Sequence, residues 1–493
     1  MDSIYTPKSH TDSFWQALFN AESIAVIGAK EAPGSWGADA MRASVESAKA
    51  NKSRRIYAVN PNETEVMGVP AYDTVLDVPD PVDLAVIVVP AAIVPRVFRQ
   101  CAEKGVKAAV IVSAGFSEVG DEGARLEAEI TEMAQRENLH FVGPNCIGHA
   151  DMHSRVASAG MTGRIPAGPL ALISQSGTLG ASIMQIAANR GIGLSKLMST
   201  GNEADLRLED YLEYVAHDDN TRIIAAYIEG LRDGRRFFNL AKEVTKTKPI
   251  VVMKSGTTDR SAQAAKSHTG ALSGSDEIYS AAFRQAGVIR AEDEEELGDM
   301  ILGLLHLPLP RGNRVAILTM GGGFGVVAAE LCEKEGLEIA DLEDATVERL
   351  RKILPSRWSP GNPVDLVGMR PSGEDDTVTL CLQLLMADNN IDSVISLMPP
   401  MMRLPGPIDD MKLEQLQAIQ RENEESLTKL HQDLVKYEKP LVFIKRLSFG
   451  PTFEKDLAAP ERKVIIPEYI HPRRAARVLH SLAWYRSYLE KRK

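Results

Sequence analysis

The stretch LALISQSGTLG at residues 170–180 decides the fold of the central part of this chain. Its first half is apolar and short enough for one buried strand, and its second half is a turn that runs into a helical pattern ending at Asn189. A strand, a glycine-bearing turn and a helix form the repeating unit of an α/β protein with a parallel sheet. Such a turn also leaves N–H groups at the start of the helix, where they are suited to phosphate.

The same pattern recurs in RVAILTMGGGFG at residues 314–325. With the apolar segments aligned, three glycines coincide in pairs: Gly177 with Gly322, Gly180 with Gly325, and Gly191 with Gly336. The segment GNEADL at residues 201–206 then recurs as GNPVDL at residues 361–366. Two related α/β domains are the simplest account of this repeat.

The first part of the chain shows another strand, turn and helix pattern, with the apolar residues 24–27 running into a turn that carries Gly28, Gly34 and Gly37. Alternating strand and helix patterns follow, which indicate a doubly wound parallel sheet with its ligand at the carboxyl ends of the strands. The glycine spacing is not G-x-G-x-x-G, which argues against an NAD-dependent dehydrogenase. The residues that follow the predicted strands are candidate ligand contacts, although most such positions are ordinary turns: Asn60, Pro90, Ser113 and Asn145.

Length and composition exclude several classes of protein. A chain of 493 residues suggests about three domains at roughly 150 residues each. The net charge of −11 argues against a general nucleic-acid binder, because the average surface repels phosphate. The four cysteines are far apart, so we expect neither a disulfide framework nor a zinc site. No secretion signal and no membrane-spanning run is apparent, so we expect a cytoplasmic protein.

The segment KSHTGAL at residues 266–272 places a histidine among small residues. It follows an apolar strand pattern at residues 250–254 and precedes a helical pattern at residues 276–286. A neutral imidazole in an accessible loop can accept a group and carry it, provided that a neighbour fixes its tautomer. Taken alone, His268 is more often an inert surface histidine.

A charged stretch at residues 409–437 carries an apolar stripe at helical spacing, which predicts a long amphipathic helix. Such a helix covers one face of a sheet more often than it binds a partner.

Three motifs together carry a resemblance to a known family: GPNC at residues 143–146, SQSGTL at residues 174–179 and SHTGA at residues 267–271. At these residues the chain resembles the α subunit of the NDP-forming (ADP-forming) acyl-CoA synthetases of the succinyl-CoA synthetase superfamily. The resemblance implies an α/β protein with three doubly wound parallel-sheet domains. These are a Rossmann-like CoA-binding domain at 1–155, a flavodoxin-like phosphohistidine domain at 156–308 and a second flavodoxin-like (CoA-ligase) domain at 309–493.

The resemblance also implies roles for particular residues. His268 matches the phosphorylated histidine, and Glu229 matches the carboxylate that orients its ring. Phosphate would be held at Ser176 and Gly177 in one domain and at Gly322 and Gly323 in the other. The residues that fall where the family holds CoA are Gly28, Lys30, Gly34, Ser35, Trp36, Gly37, Asn60, Val89, Pro90, Val112, Ser113 and Asn145. Lys52, Arg54 and Arg55 are further candidates for the phosphates of CoA.

The implied reaction is a reversible relay from acyl-CoA and phosphate, through acyl phosphate and phosphohistidine, to ADP. No G-x-x-x-x-G-K-[ST] motif occurs in the sequence, so ATP or ADP and Mg²⁺ are expected mainly on a partner, an ATP-grasp β subunit in an α2β2-type hetero-oligomer. No metal site is expected on this chain itself, and no nucleic acid or membrane as a partner. The sequence leaves open which small carboxylic acid is used, in which direction the reaction runs, and whether ADP or GDP is preferred.

Two other functions use the same domains. A non-catalytic CoA-binding regulatory protein would have no use for a phosphorylatable loop histidine. A lysine acetyltransferase fusion would need an additional domain, and none fits after the third one.

Overall fold

The computed structural model describes residues 12–158, 165–258, 260–261, 275–368, 377–397, 413–444 and 465–492. The chain divides into two compact units, Met1–Gly298 and Asp299–Lys493. The first unit contains two mostly parallel sheets and the second unit contains one, each flanked by helices. The predicted α/β fold class is confirmed.

The first sheet has the strand order β3-β4-β2-β1-β5-β6-β7 and is parallel except at the β3–β4 pair. The chain moves from β1 to β2 on one side and later returns to β5 on the other, so a topological switch point lies beside β1. Its strands are β1 (Ser23–Ile27), β2 (Arg55–Val59), β3 (Glu65–Val66), β4 (Val69–Tyr72), β5 (Leu84–Ile87), β6 (Ala108–Ile111) and β7 (Phe141–Val142). Its helices are α1 (Asp12–Phe19), α2 (Trp36–Ala50), α3 (Val94–Lys104) and α4 (Asp121–Glu137), with 3₁₀ turns at Val75–Asp77, Ala91–Ile93 and Ser117–Val119.

The second sheet has the order β14-β13-β12-β10-β11-β8-β9. Strands β11 and β12 are buried along their whole length, and the continuous apolar run of β12 in the sequence reflects this burial. The strands are β8 (His149–Asp151), β9 (Val156–Ala157), β10 (Ala167–Ser174), β11 (Leu194–Ser199), β12 (Ile223–Ile228), β13 (Ile250–Lys254) and β14 (Ile289–Ala291). The helices are α5 (Gly177–Asn189), α6 (Leu208–Ala216), α7 (Gly234–Val244), α8 (Asp276–Ala286) and α9 (Glu294–His306), the last crossing the division between the units.

The third sheet has the order β16-β15-β18-β19-β20, with β17 also paired to β15, and all of these pairs are parallel. Its strands are β15 (Arg314–Thr319), β16 (Glu338–Ile339), β17 (Val364–Asp365), β18 (Ser393–Ser396), β19 (Leu441–Ile444) and β20 (Glu468–Tyr469). Its helices are α10 (Gly322–Lys334), α11 (Asp344–Ile353), α12 (Thr377–Ala387), α13 (Leu413–Leu434) and α14 (Pro472–Glu490), with a 3₁₀ turn at Val435–Tyr437.

The predicted amphipathic helix is α13, and its apolar stripe packs on the core. Leu430 and Leu434 are buried in the hydrophobic cluster of the third sheet, and Leu427 packs against that cluster. The helix therefore covers a face of the sheet. The first four residues of the predicted helix, 409–412, lie outside the described residues.

Contacts between the first two domains hold them in one unit. The ring of Trp15 in α1 stacks on Tyr214 of the second domain, with centroids 4.4 Å apart, and Phe19 stacks on the same ring at 4.9 Å. The buried ammonium of Lys196 in the second sheet lies 5.6 Å from the centroid of the Phe19 ring in α1. These contacts join α1 of the first domain to the second domain.

Two elements begin earlier than the sequence patterns indicate. Residues 12–19, ahead of the first predicted strand, form α1, whose Phe14 and Leu18 are buried. Strand β10 begins at Ala167 and not at Leu170, and its pairing with β11 is irregular between these residues. In addition, β8 and β9 form an antiparallel hairpin that pairs with β11 and spans the predicted boundary at residue 155.

Candidate active site

The residues predicted to hold CoA lie along the carboxyl edge of the first sheet. The Ser113 hydroxyl donates to the carbonyl of Val89 at 2.5 Å, and the Asn145 N–H donates to the carbonyl of Ser113 at 2.9 Å. The side-chain amide of Asn60 donates to the carbonyl of Ala29 at 2.8 Å. The turns after β1, β2, β5, β6 and β7 are thereby joined into one rim.

Helix α2 directs its N-terminus at this rim. Ser35 caps the helix by accepting from the Ala38 N–H at 3.2 Å. A Cβ atom at position 37 would lie 2.2 Å from the carbonyl oxygen of Gly28, so only glycine allows the helix to approach the turn this closely. Helix N–H groups together with the exposed Lys30 suit an anion such as a CoA phosphate. Other members of the predicted set are also exposed and accessible to a ligand: Gly34, Trp36 and Pro90.

The basic residues Lys52, Arg54 and Arg55 do not belong to this rim. They precede or begin β2, at the opposite edge of the sheet from its carboxyl end. The Arg54 side chain is buried and donates to the carbonyl of Ala21 at 2.7 Å and to the Ser47 hydroxyl at 2.7 Å. The expectation that Arg54 meets CoA is therefore wrong, because its guanidinium is used in packing.

Cys146 lies in the last turn of this rim but is buried, and its thiol contacts the carbonyl of Ile111 at 3.4 Å. Burial raises the pKa of its thiol to about 12, so the thiolate is not populated near neutral pH. The residue is a packed side chain, as expected.

The second sheet presents a helix N-terminus at its own carboxyl edge. Ser176 is the N-cap of α5 and accepts from the Leu179 N–H at 3.4 Å. A Cβ atom on Gly177 would lie 2.6 Å from the Ile147 side chain, so glycine allows the first domain to contact this turn. The first peptide N–H groups of α5 remain available for an anion.

Glu229 lies directly after β12, the strand next to β10, and is 6% exposed. Its backbone N–H donates to the side-chain oxygen of Gln175, the residue before Ser176, at 2.5 Å. One side chain thus links the backbone at Glu229 to the turn that begins α5. The hydroxyl of Tyr227, two residues earlier on the same strand face, hydrogen-bonds Glu229 and Ser255, and burial raises the pKa of that phenol.

His268 and its neighbours at 262–274 lie outside the described residues. The described chain leads towards them from the end of β13, the strand that pairs with β12, and continues at α8. The segment that carries His268 therefore leaves the sheet on the strand next to Glu229.

Sequence reasoning missed two buried charged residues near Glu229, Lys254 and Glu203. The Lys254 ammonium donates to the Glu229 carbonyl at 2.9 Å and lies 4.7 Å from the Tyr279 ring centroid; burial lowers its pKa. Glu203 accepts from the Gln175 side chain at 2.9 Å and from the Thr200 hydroxyl at 2.8 Å. Burial, together with the charge of Glu209, raises the pKa of Glu203 to about 7. The only available signal was that Gln175 and Glu203 fall inside the repeated segments.

The third domain has its own turn of the same kind. Gly322 and Gly323 begin α10, and no side chain caps it because the N-cap is Gly321. A Cβ atom on Gly323 would meet nothing within 4 Å, whereas one on Gly322 would lie 3.4 Å from a carboxylate oxygen of Asp365. This helix start is open to a phosphate group, with an acid beside it.

The described residues contain no group of three or more His, Cys, Asp or Glu side chains able to hold a metal ion. Among the helices they form, none combines the length and the apolar character needed to cross a membrane.

Comparison with known proteins identifies each sheet. The chain matches the models of the CoA binding domain at residues 22–151, the succinyl-CoA ligase like flavodoxin domain at residues 167–304 and the ligase-CoA domain at residues 315–402.

It is 44% identical over 380 residues to the α subunit of acetate–CoA ligase [ADP-forming] II of Pyrococcus furiosus, covering 77% of this chain and 81% of that one. It is 42% identical over 387 residues to acetate–CoA ligase [ADP-forming] I of Archaeoglobus fulgidus, covering 78% of this chain and 55% of that protein. The chain thus spans about half the length of the latter relative.

Among solved structures, the chain is similar to acetyl-coenzyme A synthetase 1 of Ca. Korarchaeum cryptofilum in complex with phosphate and ADP. The TM-score is 0.80 and the identity 31%, with 97% of this chain and 98% of that one covered.

Proposed function

We propose, from the premise that this chain belongs to the α subunits of the ADP-forming acid–CoA ligases, that it carries phosphoryl groups on His268. The observation that supports this best is the buried Glu229 carboxylate. Glu229 follows β12, which pairs with β13, the described strand that precedes His268 in the sequence, and its backbone N–H is bonded to Gln175, the residue before Ser176.

The proposed reaction proceeds in three balanced steps. An oxygen of inorganic phosphate attacks the thioester carbon of acyl-CoA, the C–S bond breaks, and the CoA thiolate leaves. A ring nitrogen of His268 then attacks phosphorus, the bond to the acyl oxygen breaks, and the carboxylate leaves. Finally, the terminal oxygen of ADP takes the phosphoryl group, which gives ATP and regenerates the imidazole. Each step is reversible, so the same residues serve acid activation.

Residues of this chain have separate tasks in that sequence. The N–H groups at Ser176 and Gly177 would hold phosphate while it attacks the thioester. Glu229 would accept the N–H of one ring nitrogen, which leaves the other nitrogen free to attack and stabilises the positive ring of phosphohistidine. The helix start at Gly322 and Gly323 would offer a second phosphate position in the third domain.

The rim of the first domain would hold CoA. The N-terminus of α2 and Lys30 would contact its phosphates, and Asn60, Val89, Ser113 and Asn145 would line the path of the thiol arm. A ligand that extends beyond this rim would reach Ile147, whose side chain lies against Gly177 at the start of α5.

The nucleotide step needs a partner. The name "subunit alpha" of the P. furiosus relative supports a second subunit, and we infer an ATP-grasp β subunit in an α2β2-type hetero-oligomer in the cytoplasm. Mg²⁺, bound with the nucleotide, would neutralise the charge that develops on the transferred phosphoryl group.

The proposal is tested by incubating the full chain with its β subunit, ATP and Mg²⁺ and measuring the intact mass. We expect one acid-labile phosphate, which is lost in His268→Ala. His217→Ala is a matched control, because His217 is an exposed histidine of the same domain. Equal labelling in His268→Ala, or no labelling of a wild-type chain that still binds CoA, would overturn the proposal, and the second result would indicate the non-catalytic CoA-binding function.

A further inference from the structure

The side-chain amide of Gln175 accepts two hydrogen bonds and donates two. Its oxygen accepts from the backbone N–H groups of Glu229, at 2.5 Å, and of Gly230, at 3.1 Å. Its nitrogen donates to the carbonyl of Gly230 at 2.8 Å and to the Glu203 carboxylate at 2.9 Å. Two donors and two acceptors are the full capacity of this group, so the amide has one satisfied orientation.

The backbone determines which orientation that is. The N–H groups of residues 229 and 230 can only donate, so the Gln175 oxygen must face them and its nitrogen faces Glu203. Glu203 is itself held by the Thr200 hydroxyl at 2.8 Å and is 3% exposed. Three segments that are distant in sequence therefore converge on one amide.

The third domain shows that the fold does not need this arrangement. In the aligned repeat, Met320 stands at the position of Gln175 and Pro363 at that of Glu203. Counting along the sequence from the paired residues Ala226–Ile173 and Ser396–Leu318 aligns Glu229 with Pro399, which lies outside the described residues. All three polar residues are replaced together by apolar ones, yet β15, α10 and β18 form the same strand, helix and strand unit. A polar set that the scaffold can omit is explained best by chemistry.

We propose that Gln175, whose nitrogen donates to Glu203, is a positioning residue that fixes the backbone at Glu229 and with it the carboxylate used in phosphoryl transfer to His268. This inference rests on the proposed function and adds to it the residues that hold the carboxylate. Gln175 and Glu203 act through Glu229 and touch neither CoA nor phosphorus in this account.

The test measures the rate at which the full chain with its β subunit becomes phosphorylated from ATP and Mg²⁺. Gln175→Met, which installs the residue of the third domain, should slow phosphorylation at saturating ATP at least tenfold and leave the KM for ATP within twofold. The matched control is Met320→Gln, the reverse change at the corresponding position, which should leave the rate within twofold. Thermal unfolding and CoA binding check that each variant folds.

The double variant Gln175→Met with Glu229→Gln distinguishes a positioning role from a general loss of structure. If Gln175 acts through the Glu229 carboxylate, Gln175→Met should change the rate less than twofold once Glu229→Gln is present. An equal loss in both backgrounds would overturn the inference, because it would indicate a structural role unrelated to the carboxylate. If Gln175→Met does not fold, Gln175→Asn takes its place, because this variant keeps the amide but shortens its reach. Its effect on the rate is measured with Glu229 and with Glu229→Gln.

The outcomes also distinguish the two proposals. A wild-type chain that is not phosphorylated on His268 contradicts the proposed function. A wild-type chain that is phosphorylated, with Gln175→Met or Gln175→Asn equally fast, contradicts only the positioning inference.

Discussion

The glycine turns of the second and third domains have the same skeleton and different side chains. Each follows a central strand and opens a helix of 13 residues. Gly180 and the corresponding Gly325 pack in the same way. A Cβ atom on Gly180 would lie 3.0 Å from the Ser174 side chain, and one on Gly325 would lie 3.0 Å from the Thr319 side chain. The glycines therefore preserve the approach of the helix to its strand.

The repeated segments GNEADL and GNPVDL show the difference more clearly. Asn202 donates to the carboxylates of Glu118 and Glu127 in the first domain, at 2.7 and 2.8 Å. Its counterpart Asn362 stays within its own sheet, where it donates to the carbonyls of Val315 and Ala340 at 2.8 and 2.9 Å. The same residue type thus joins two domains in one copy and ties together one sheet in the other.

The aspartates of these segments differ in the same manner. Asp205 accepts from the Phe141 N–H at 3.0 Å and from the His140 ring at 2.9 Å, both in the first domain. Asp365 accepts from the nearby Val367 N–H at 2.8 Å. Glycines and apolar strands thus preserve the shared scaffold, while the side chains between them determine whether a copy carries a buried carboxylate at its strand end and contacts a neighbouring domain.

The largest effect is expected at Glu229, whose position in the third-domain copy corresponds to a proline. Glu229→Gln should slow phosphorylation of His268 by roughly 10²- to 10⁴-fold, because the amide cannot stabilise the positively charged ring. The measurement is the rate of acid-labile labelling of the full chain with its β subunit. Glu213→Gln, which alters a half-exposed carboxylate of the same domain, is the control and should stay within twofold. A Glu229→Gln rate within threefold of wild type would show that this carboxylate does not distinguish the two copies.

Much of the scaffold follows from the sequence because its signals are local. The apolar run at residues 250–254 predicted β13 at its observed bounds, and the helical pattern at residues 276–286 did the same for α8. Glu229 was identified through family resemblance, and the structure places it buried beside the helix start, whereas His268 lies outside the described residues.

The parts that sequence reasoning missed depend on contacts between distant segments. Gln175 is an ordinary turn residue until Glu203 and Glu229 are placed against it. Arg54 resembles a phosphate ligand until its burial against Ala21 is known. The hairpin at 149–157 was missed because its strands are short and contain buried His149 and Asp151, which period-two patterns do not reveal.

A change at Glu203 is expected to have an effect of intermediate size, on the free energy of unfolding. Glu203 is a buried acid, and Pro363 stands at the corresponding position of the third domain. Burial and the charge of Glu209 raise the pKa of Glu203 from 4.5 to about 7. The folded chain therefore binds this proton more tightly than the unfolded chain, and the associated stability is present below about pH 4.5 and is lost as the pH rises through about 7.

Glu203→Gln removes this titration but keeps an oxygen that can accept from Thr200. We expect the variant to be more stable than wild type by about 1–3 kcal/mol at pH 8 and nearly equal to it at pH 5. Urea unfolding of the full chain at the two pH values measures this, with Glu213→Gln as the surface control. A difference between variant and wild type that does not change with pH would contradict the raised pKa of Glu203.

The smallest effect is expected at the two N-caps. Ser176 caps α5 through its hydroxyl, whereas Gly321 caps α10 without a side chain. Gly321 has φ −155° and ψ 134°, an extended backbone that serine adopts readily, and a Cβ atom there would have its nearest neighbour at 4.0 Å, on the Phe324 ring. Gly321→Ser should therefore stabilise the third domain by a few tenths of a kcal/mol, and Ser176→Gly should destabilise the second domain by about the same amount.

Thermal unfolding of the full chain measures both changes as shifts of roughly 1 °C in opposite directions. Gly321→Ala adds the Cβ atom without the hydroxyl and so measures the effect of the carbon alone. Because alanine is a poorer N-cap than glycine, this variant should lower the Tm slightly. If Gly321→Ser and Gly321→Ala shift the Tm equally, the gain does not come from capping. The two turns would then differ in more than the side chains at their helix starts.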